Sequence, residues 1–232
     1  ELMEKFFEEG TLNEEELAEG LTMALAQGEF YPVFCASADR NMGSGRIMGF
    51  INDIAPSPAD RPDAELEDGS SLKCESNTET SLFIYKTISE PRVGMVSYFK
   101  VYSGSLKSGD ELVNADNRTT ERFNQVFIAN GKNRIAANEL RAGDIGVTVK
   151  LKNSHTNNTL NIKGNDRKIS PIPFPSPRIR TAVDPPSKND MEKLIKALHQ
   201  IQEEDPTLIL EQSKALKQTL LHGQGQLHLD II

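Results

Sequence analysis

Few residues of this sequence have the types and spacing that chemistry requires. Phosphate binding by a P-loop needs G-x-x-x-x-G-K-[ST], and one class of nucleophilic catalysis needs G-x-S-x-G; the sequence contains neither. It also lacks clustered metal ligands and a convincing pair of carboxylates, so it holds no complete catalytic set. What remains is an apolar run, Phe30–Cys35, that ends in the small residues Ala36-Ser37-Ala38. Taken alone, this pattern indicates the end of a buried parallel strand.

The cysteines and histidines predict no metal site. Cys35 and Cys74 lie far apart in sequence and the four histidines are scattered, so neither set has the spacing of a zinc site. We expect two free thiols in a reducing cytosol. The formal net charge of −8 argues against loose, sequence-independent binding to nucleic acid, which needs a basic surface. Local basic patches can still dock on a ribonucleoprotein.

The sequence predicts neither a membrane span nor a secretory signal. Its apolar runs extend over only a few residues, too few for a helix to cross a bilayer, and residues 1–5 are charged and amphipathic. Because the first residue is not Met, we expect the natural start to lie upstream. With 37% hydrophobic and 26% charged residues, the composition is ordinary for a soluble, folded protein. The 232 residues leave room for one large or two to three small domains, and we expect the protein to be cytoplasmic.

Residues 1–58 have the pattern of the end of an α/β domain. The pattern predicts helix, helix, strand, loop and helix, with boundaries at the helix break Gly10, the helix end Gly28, the loop Asp39–Gly45 and the helix Ile47–Ile54. Thr11, with Glu14 three residues later, resembles a capping box at the start of the second helix. The apolar run is the predicted strand of this region.

Residues 59–172 have the pattern of a β-barrel. The proline-rich linker Ala55–Pro62 precedes short strands that are separated by glycine turns, the spacing typical of a closed barrel. The predicted strands are Ser81–Thr87, Met95–Ser103, Asp110–Ala115, Glu121–Ile128 and Gly146–Leu151. Their tight connections require left-handed backbone at Gly104 and Gly109.

Residues 173–232 begin within a second proline cluster and predict a ferredoxin-like module. The order of elements is β-α-β-β-α, the opening of a split βαβ unit, and the first helix is amphipathic. The predicted elements are Arg178–Val183, Asn189–Glu204, Thr207–Gln212, Gln218–His222 and a helix over Gly225–Ile232. No final strand follows, and the second helix is cut short at Ile232. We therefore expect a truncated module in which the apolar side of the sheet, including Val183 and Leu210, is exposed and which is less protected than the barrel.

Three stretches in a consistent order resemble the elongation factor G family of translational GTPases. In the first, Pro32–Ala38 followed by Asn41-Met42-Gly43 is similar to the family's fifth guanine-nucleotide motif. There a Ser-Ala loop ends a strand, and its backbone N–H groups face the guanine carbonyl. The resemblance therefore implies that Ala36, Ser37 and Ala38 contact guanine in the full-length protein.

The second stretch, Tyr98–Asp110, resembles the family's barrel sequence of a strand, a Ser-Gly turn and a Gly-Asp turn. Lys100 stands where the family usually has arginine, and Ala142–Ile145 resembles the matching second half. The family's Thr-Gly-Asp-Thr-Leu is here Thr156–Leu160, with Asn157 in place of Gly. Asn can adopt the same left-handed backbone. These residues chiefly build turns, so they bear on fold more than on chemistry.

The third stretch pairs Glu203–Thr207 with His222–Leu229. The first matches the family's Glu-Glu-Asp-Pro-Thr, and the second resembles Gly-Met-Gly-Glu-Leu-His-Leu with Gln224 for Met and Gln226 for Glu. The second change removes a negative charge from a helix start, where the helix dipole favours one, and this indicates a divergent member or paralogue. His228 is assigned no catalytic role, because a lone histidine is more often packed or capping.

The resemblance implies a multi-domain fold that combines α/β, all-β and α+β parts. A translation-factor β-barrel is flanked by the C-terminal part of a P-loop GTPase domain and a truncated ferredoxin-like domain. The full-length protein is expected to bind GTP or GDP with Mg²⁺, to bind the ribosome and no membrane, and to promote translocation. This segment lacks the phosphate loop and Asn-Lys-x-Asp, so we expect it to be inactive alone.

Two alternatives stay open. A ribosomal-protection GTPase shares the architecture but removes an antibiotic instead of moving transfer RNA, and the loops that discriminate the two lie outside this sequence. A non-catalytic ribosome-binding or protein-binding barrel module belongs to a different class. The Ser37-Ala38 loop argues against that class.

Overall fold

The computed structural model describes residues 2–131, 133–185, 187–213 and 218–232. The chain divides into two compact units, Glu1–Asp63 and Ala64–Ile232. The domain boundaries placed after residues 58 and 172 stay predictions. In the described ranges, none of the helices combines the length and the hydropathy needed to cross a bilayer.

The first unit is helical. Its helices are α1 (Leu2–Glu9), α2 (Glu14–Gln27) and α3 (Ser44–Ile54), followed by a 3₁₀ turn (Pro58–Asp60). Helix α2 ends at Gly28, which is left-handed with φ +77°, as the sequence predicts. The capping box predicted at Thr11 is wrong: the N-cap is Asn13, whose Oδ1 accepts from Glu16 N at 2.9 Å. Asn13 has the same spacing to Glu16 and is the stronger N-cap residue.

The segment predicted as a buried parallel strand, Phe30–Cys35, is neither paired nor buried. It has no regular secondary structure, and Tyr31 and Val33 are 82% and 91% exposed. A strand obtains its hydrogen bonds from neighbouring strands, and the described part of the first unit contains no strand that could supply them. The apolar pattern alone therefore overestimated this element.

The described residues of the barrel region form twelve strands. They are β1 (Ala64–Glu65), β2 (Ser71–Leu72), β3 (Ser81–Glu90), β4 (Gly94–Ser103), β5 (Ser105–Lys107), β6 (Glu111–Asn114), β7 (Thr120–Arg122), β8 (Val126–Asn130), β9 (Asn133–Ala137), β10 (Glu139–Arg141), β11 (Ile145–Val149) and β12 (Thr159–Asn161). Eight of them form one antiparallel sheet in the order β7-β6-β12-β3-β4-β11-β8-β9, while β5 pairs with β10 and β1 with β2. The barrel core contains residues such as Leu82, Ile84, Phe99, Val101, Phe123 and Leu160.

The sequence predicts five strands in this region, whereas the structure adds β1, β2, β5, β9, β10 and β12 and divides one of the five. The predicted strand Glu121–Ile128 is two strands, β7 and β8, because the chain turns between them. Phe123 N still donates to Asp110 O at 2.9 Å, in continuation of the β6–β7 register, whereas Asn124 N donates to Arg122 O at 3.1 Å. The pairing with β6 therefore ends after Phe123. The prediction of left-handed glycines is confirmed, with φ +71° at Gly104 and +98° at Gly109.

The third region is an antiparallel sheet covered by helices. Its elements are β13 (Ile179–Ala182), a 3₁₀ turn (Lys188–Asp190), α4 (Met191–Glu204), β14 (Ile209–Ser213), β15 (Gln218–Gly223) and α5 (Gln226–Ile231). The strand order β13-β15-β14 fits the predicted split βαβ unit. Val183 and Leu210 are half-buried against Leu198, Leu208 and Leu221, so the prediction that they are exposed is wrong. Helix α5 contributes Leu229 to the same cluster. The lower protection of this module stays a prediction.

Candidate functional site

The predicted nucleotide loop is closed by main-chain hydrogen bonds. Ser37 N donates to Met42 O at 3.0 Å, and Met42 N donates to Ser37 O at 3.0 Å. Inside this pair, Asn41 N donates to Ala38 O at 3.1 Å, and Asn41 is left-handed with φ +49°. Asn is one of the few residues that tolerate this conformation. The loop therefore keeps its shape without help from large side chains.

Gly43 brings the start of α3 close to Cys35 and Ala36. Its φ is +85°, and a Cβ at this position would lie 2.9 Å from Cys35 O and 3.2 Å from Ala36 Cβ. A side chain here would require both a strained backbone and a displaced neighbour. The close approach of α3 to the loop thus depends on glycine.

The loop can offer main-chain donors to a flat ligand. Among the backbone hydrogen bonds of the described residues, none uses the N–H of Ala36 or Ala38. Both alanines are exposed and Ser37 is half-exposed, so only methyl and hydroxymethyl groups flank these donors. An aromatic base with a carbonyl acceptor fits such a surface. The contact of Ala36, Ser37 and Ala38 with guanine stays a prediction.

The described residues provide no metal centre to accompany this loop. Within the four described ranges, no group of three or more His, Cys, Asp and Glu side chains could hold a metal ion. Cys35 is exposed and Cys74 is half-buried, and both are free thiols.

The barrel stretch that resembles the family contains two matching turns. They are Lys107–Asp110, after β5, and Arg141–Asp144, after β10. In each, the final Asp accepts through Oδ2 from the first residue's N–H at 2.7 Å. The glycine at the third position has φ +98° in one turn and +96° in the other. Because β5 and β10 pair with each other, one turn design is used twice on neighbouring strands.

The Ser-Gly turn between β4 and β5 is sterically demanding. A Cβ on Gly104 would lie 2.6 Å from Thr80 N and Cα. The two segments can therefore approach this closely only because residue 104 is glycine. On β4, Lys100 places its Nζ 5.0 Å from the ring centroid of Tyr102, a cation–π contact. Lysine at this position therefore still supplies a cation, which here lies over the Tyr102 ring.

Glu121 is a buried carboxylate that sequence reasoning missed. It is 4% exposed and accepts hydrogen bonds from Lys152 N, Asn153 N and the Ser154 hydroxyl at distances of 2.6–3.2 Å. These partners lie about thirty residues further along the chain, so no local pattern shows the contact. The one signal in the sequence is that Glu121 is a charged residue in a segment predicted to be a strand.

Asn114 is a second buried polar residue that bonds to Asn153 and Ser154. It is 0% exposed, and its Nδ2 donates to Asn153 O, the Ser154 hydroxyl and Asn158 Oδ1 at 3.1–3.2 Å. Its Oδ1 accepts from Asp116 N at 2.9 Å. A satisfied buried network of this kind fixes one conformation of the loop above it.

His228 links two of the stretches that resemble the family. Gln224 N donates to its Nδ1 at 3.2 Å, so Nε2 carries the proton and donates to Asp205 Oδ2 at 3.0 Å. Thr207 Oγ1 donates to the other carboxylate oxygen at 2.6 Å. Partial burial raises the pKa of Asp205, but the hydrogen bonds from Thr207 and His228 outweigh it and lower the pKa below its usual value. The pair ties α5 to the turn after α4, and it is structural.

The two glutamines that differ from the family pattern both have partners. Gln226 Nε2 donates to Asp230 Oδ1 at 2.7 Å, one turn later in α5. A glutamate at this position would instead face Asp230 with like charge. Gln224 Nε2 donates to Pro175 O at 2.9 Å and so holds the second proline cluster, residues 170–177. Both glutamines therefore form hydrogen bonds within the third module and its preceding proline cluster.

Comparison with known protein families identifies two parts of the chain. Residues 79–162 match the family described as Elongation factor G domain 2. Residues 174–232 match the family described as Elongation Factor G, domain III. Together the two matches cover more than half of the chain, in the order that the fold shows.

A solved structure supports the same assignment. A crystal structure of a protein from Thermus thermophilus superposes on 99% of this chain with a TM-score of 0.80 and 27% sequence identity. The superposition covers 33% of that protein, so the chain spans about a third of its length. With its translation-factor barrel followed by a ferredoxin-like module, the chain belongs to the elongation factor G family of translational GTPases.

Proposed function

We propose that this chain is part of a ribosome-dependent GTPase that promotes the movement of transfer RNA and messenger RNA during elongation. The observation that carries the proposal is the succession of domain II and domain III of elongation factor G along one chain. The full-length protein would act in the cytoplasm, bind the ribosome, and use GTP with Mg²⁺.

The nucleotide loop has a limited part in this function. Its main-chain N–H groups at Ala36 and Ala38 would face the guanine carbonyl, with Ser37 between them. The support is geometric: these donors are not used by other backbone groups in the described chain, and Gly43 holds α3 close. Phosphate and Mg²⁺ would be bound by other parts of the full-length protein.

The barrel and the third module would transmit the nucleotide state. Each has its own core, centred on Phe99 and Phe123 in the barrel and on Leu198 and Leu221 in the third module. Two packed bodies joined by a linker can change orientation while each keeps its internal structure. This is the mechanical requirement for converting GTP hydrolysis into movement on a ribosome.

The function is tested on the full-length polypeptide that contains this chain. We expect ribosome-stimulated GTP hydrolysis and an increase in puromycin-reactive peptidyl-tRNA on pretranslocation ribosomes. Relief of tetracycline-arrested ribosomes without translocation would assign the protein to ribosomal protection instead. Ribosome binding without GTP hydrolysis would identify a non-catalytic module.

The nucleotide loop is tested with a matched pair of glycines. In the full-length protein, Gly43→Ala should weaken GDP binding about tenfold, because it strains the backbone and crowds Cys35 and Ala36. Gly45→Ala is the control, since its Cβ would meet no atom within 4 Å. Equal GDP affinities in fluorescence titration would remove the loop from the site. The isolated chain should show no measurable GDP binding in calorimetry.

A further inference from the structure

We propose that the barrel loop Lys150–Asn158, here called the bracket, sets the orientation of the third module. The bracket is fixed at its base by buried groups of the barrel and makes exposed, reversible contacts at its tip. These tip contacts reach both helix α4 and the linker formed by the second proline cluster, residues 170–177. The bracket would therefore work as an adjustable joint built into the fold.

The base of the bracket is rigid. Glu121 receives hydrogen bonds from three consecutive residues of the bracket, and Asn114 bonds to two of the same residues. Both anchors are buried, with exposures of 4% and 0%. Breaking such bonds would leave polar groups unsatisfied in the interior, which is costly. The bracket therefore moves with the barrel as one body.

The tip of the bracket holds the linker. Asn157 Nδ2 donates to Ile172 O at 3.1 Å, and Ile172 N donates to Asn157 Oδ1 at 3.0 Å. The left-handed backbone of Asn157, with φ +73°, shapes the bracket at the point where these bonds form. The asparagine at this position thus supplies both the turn conformation and a two-way bond that glycine could not make.

The tip also reaches the third module itself. His155 Nδ1 lies 2.5 Å from Glu203 Oε2, near the end of α4. One turn earlier on α4, Gln200 Nε2 donates to the Ser89 hydroxyl of β3 at 2.6 Å. Helix α4 thus contacts two different elements of the barrel. The two contacts together limit a rotation of the helix that either contact alone would allow.

The strength of these contacts makes the joint adjustable. The His155 and Glu203 side chains are 52% and 39% exposed, and exposed ion pairs shift an equilibrium by about fivefold or less. The tip contacts can therefore break and re-form while the buried base persists. A ligand or the ribosome would need only a modest preference to select another orientation. This last step rests on the proposed function, whereas the joint itself does not.

The joint is tested by distances between spin labels in the whole chain, without nucleotide or ribosomes. The labels are placed through Lys107→Cys in the barrel and Lys193→Cys on α4, with Cys35→Ser and Cys74→Ser removing the native thiols. The unaltered joint should give one main distance. The double variant His155→Ala with Gln200→Ala should broaden this distribution or add a second distance. His155→Gln with native Gln200, which keeps a donor for Glu203, should restore most of the main peak.

A matched histidine controls for general loss of a His–Glu contact. His222 lies 2.9 Å from Glu211 within the third module's own sheet, so His222→Ala should leave the main distance unchanged. Asn157→Gly, which keeps the left-handed turn but loses both bonds to Ile172, should broaden the distribution. An unchanged distribution in both bracket variants would overturn the proposal, provided that circular dichroism shows them folded. Because no GTPase is assayed, this failure differs from failure of the proposed function.

Discussion

The nucleotide loop in the first unit and the bracket in the barrel are both short irregular segments, but they are held by different means. The nucleotide loop is shaped by its main chain, through the Ser37–Met42 pair and the close approach at Gly43. The side chains of Ala36, Ser37 and Ala38 are small, and those of both alanines are exposed. The bracket is held by side chains from inside the barrel, chiefly Glu121 and Asn114.

The two ways of holding a loop have different consequences for ligand binding and for stability. A loop shaped by main-chain bonds can present N–H groups to a ligand, and few of its side chains are needed for folding. A loop held by a buried carboxylate depends on that group, because its donors lose their partners when it is removed. Removal of the buried groups that hold the bracket should therefore lower the free energy of unfolding strongly, whereas substitutions at exposed positions should change it only slightly.

The largest effect is expected for Glu121→Ala. The change leaves the N–H groups of Lys152 and Asn153 and the Ser154 hydroxyl without their buried acceptor. We expect a loss of about 4 kcal/mol in the free energy of unfolding, measured by urea denaturation with circular dichroism. Glu111→Ala, at an exposed position of β6, is the control and should change stability by less than about 0.5 kcal/mol. Similar losses in both variants would show that the buried anchor has no special role.

A smaller loss is expected for Gly104→Ala. The new Cβ would meet the Thr80 main chain at 2.6 Å in addition to the left-handed strain, for about 3 kcal/mol in total. Gly109→Ala has the strain, with φ +98°, but open space around the new Cβ, so it should cost only about 1 kcal/mol. Thermal denaturation of the two variants isolates the clash. If Gly109→Ala is the more damaging change, the packing at Gly104 is not as described.

A pH-dependent effect is expected for Asp205→Asn. The folded pKa of this carboxyl is lowered, so its stabilisation is present above the unfolded pKa of about 3.9 and is lost as the pH falls through the folded pKa. The variant should lose about 1 kcal/mol at pH 7, and the difference from the native chain should shrink below about pH 4. Asp166→Asn removes an exposed pair with Arg118 and should change stability little. A pH-independent loss at position 205 would show that its charge is irrelevant.

The smallest effect is expected for Gln226→Glu. It replaces the hydrogen bond to Asp230 with a like-charge pair one helical turn apart, although the helix dipole favours the new charge. We expect a destabilisation of about 0.3 kcal/mol at low salt, which should diminish as salt is added. Gln226→Ala controls for the lost hydrogen bond. If Gln226→Glu clearly stabilises the chain, the favourable interaction of the new charge with the helix dipole is stronger than its repulsion from Asp230.

Local turn chemistry could be predicted from the sequence. Gly104 and Gly109 are left-handed as the strand spacing requires, and Asn157 adopts the conformation that glycine has in the family. These outcomes depend on one or two residues and their allowed backbone angles. The shift of the N-cap from Thr11 to Asn13 shows the limit of local reasoning, since both positions precede a glutamate by three residues.

Features that depend on distant partners could not be predicted. The segment Phe30–Cys35 has the composition of a strand, but pairing decides whether a strand forms, and the described part of its unit offers no partner strand. Glu121 looked like an ordinary strand residue because its acceptor role involves groups about thirty residues away. The nucleotide loop is predicted only through the family resemblance, since small residues after an apolar run have many other uses.

The paired turns Lys107–Asp110 and Arg141–Asp144 separate the fold from the charge of this surface. Each turn needs only a glycine, an aspartate and the main-chain N–H of its first residue. The side chains of Lys107 and Arg141 remain outside that requirement, and both flank the carboxylate of Glu139. Relatives could therefore reverse or remove these charges, and so alter what this end of the barrel attracts, without disturbing the strands that carry it.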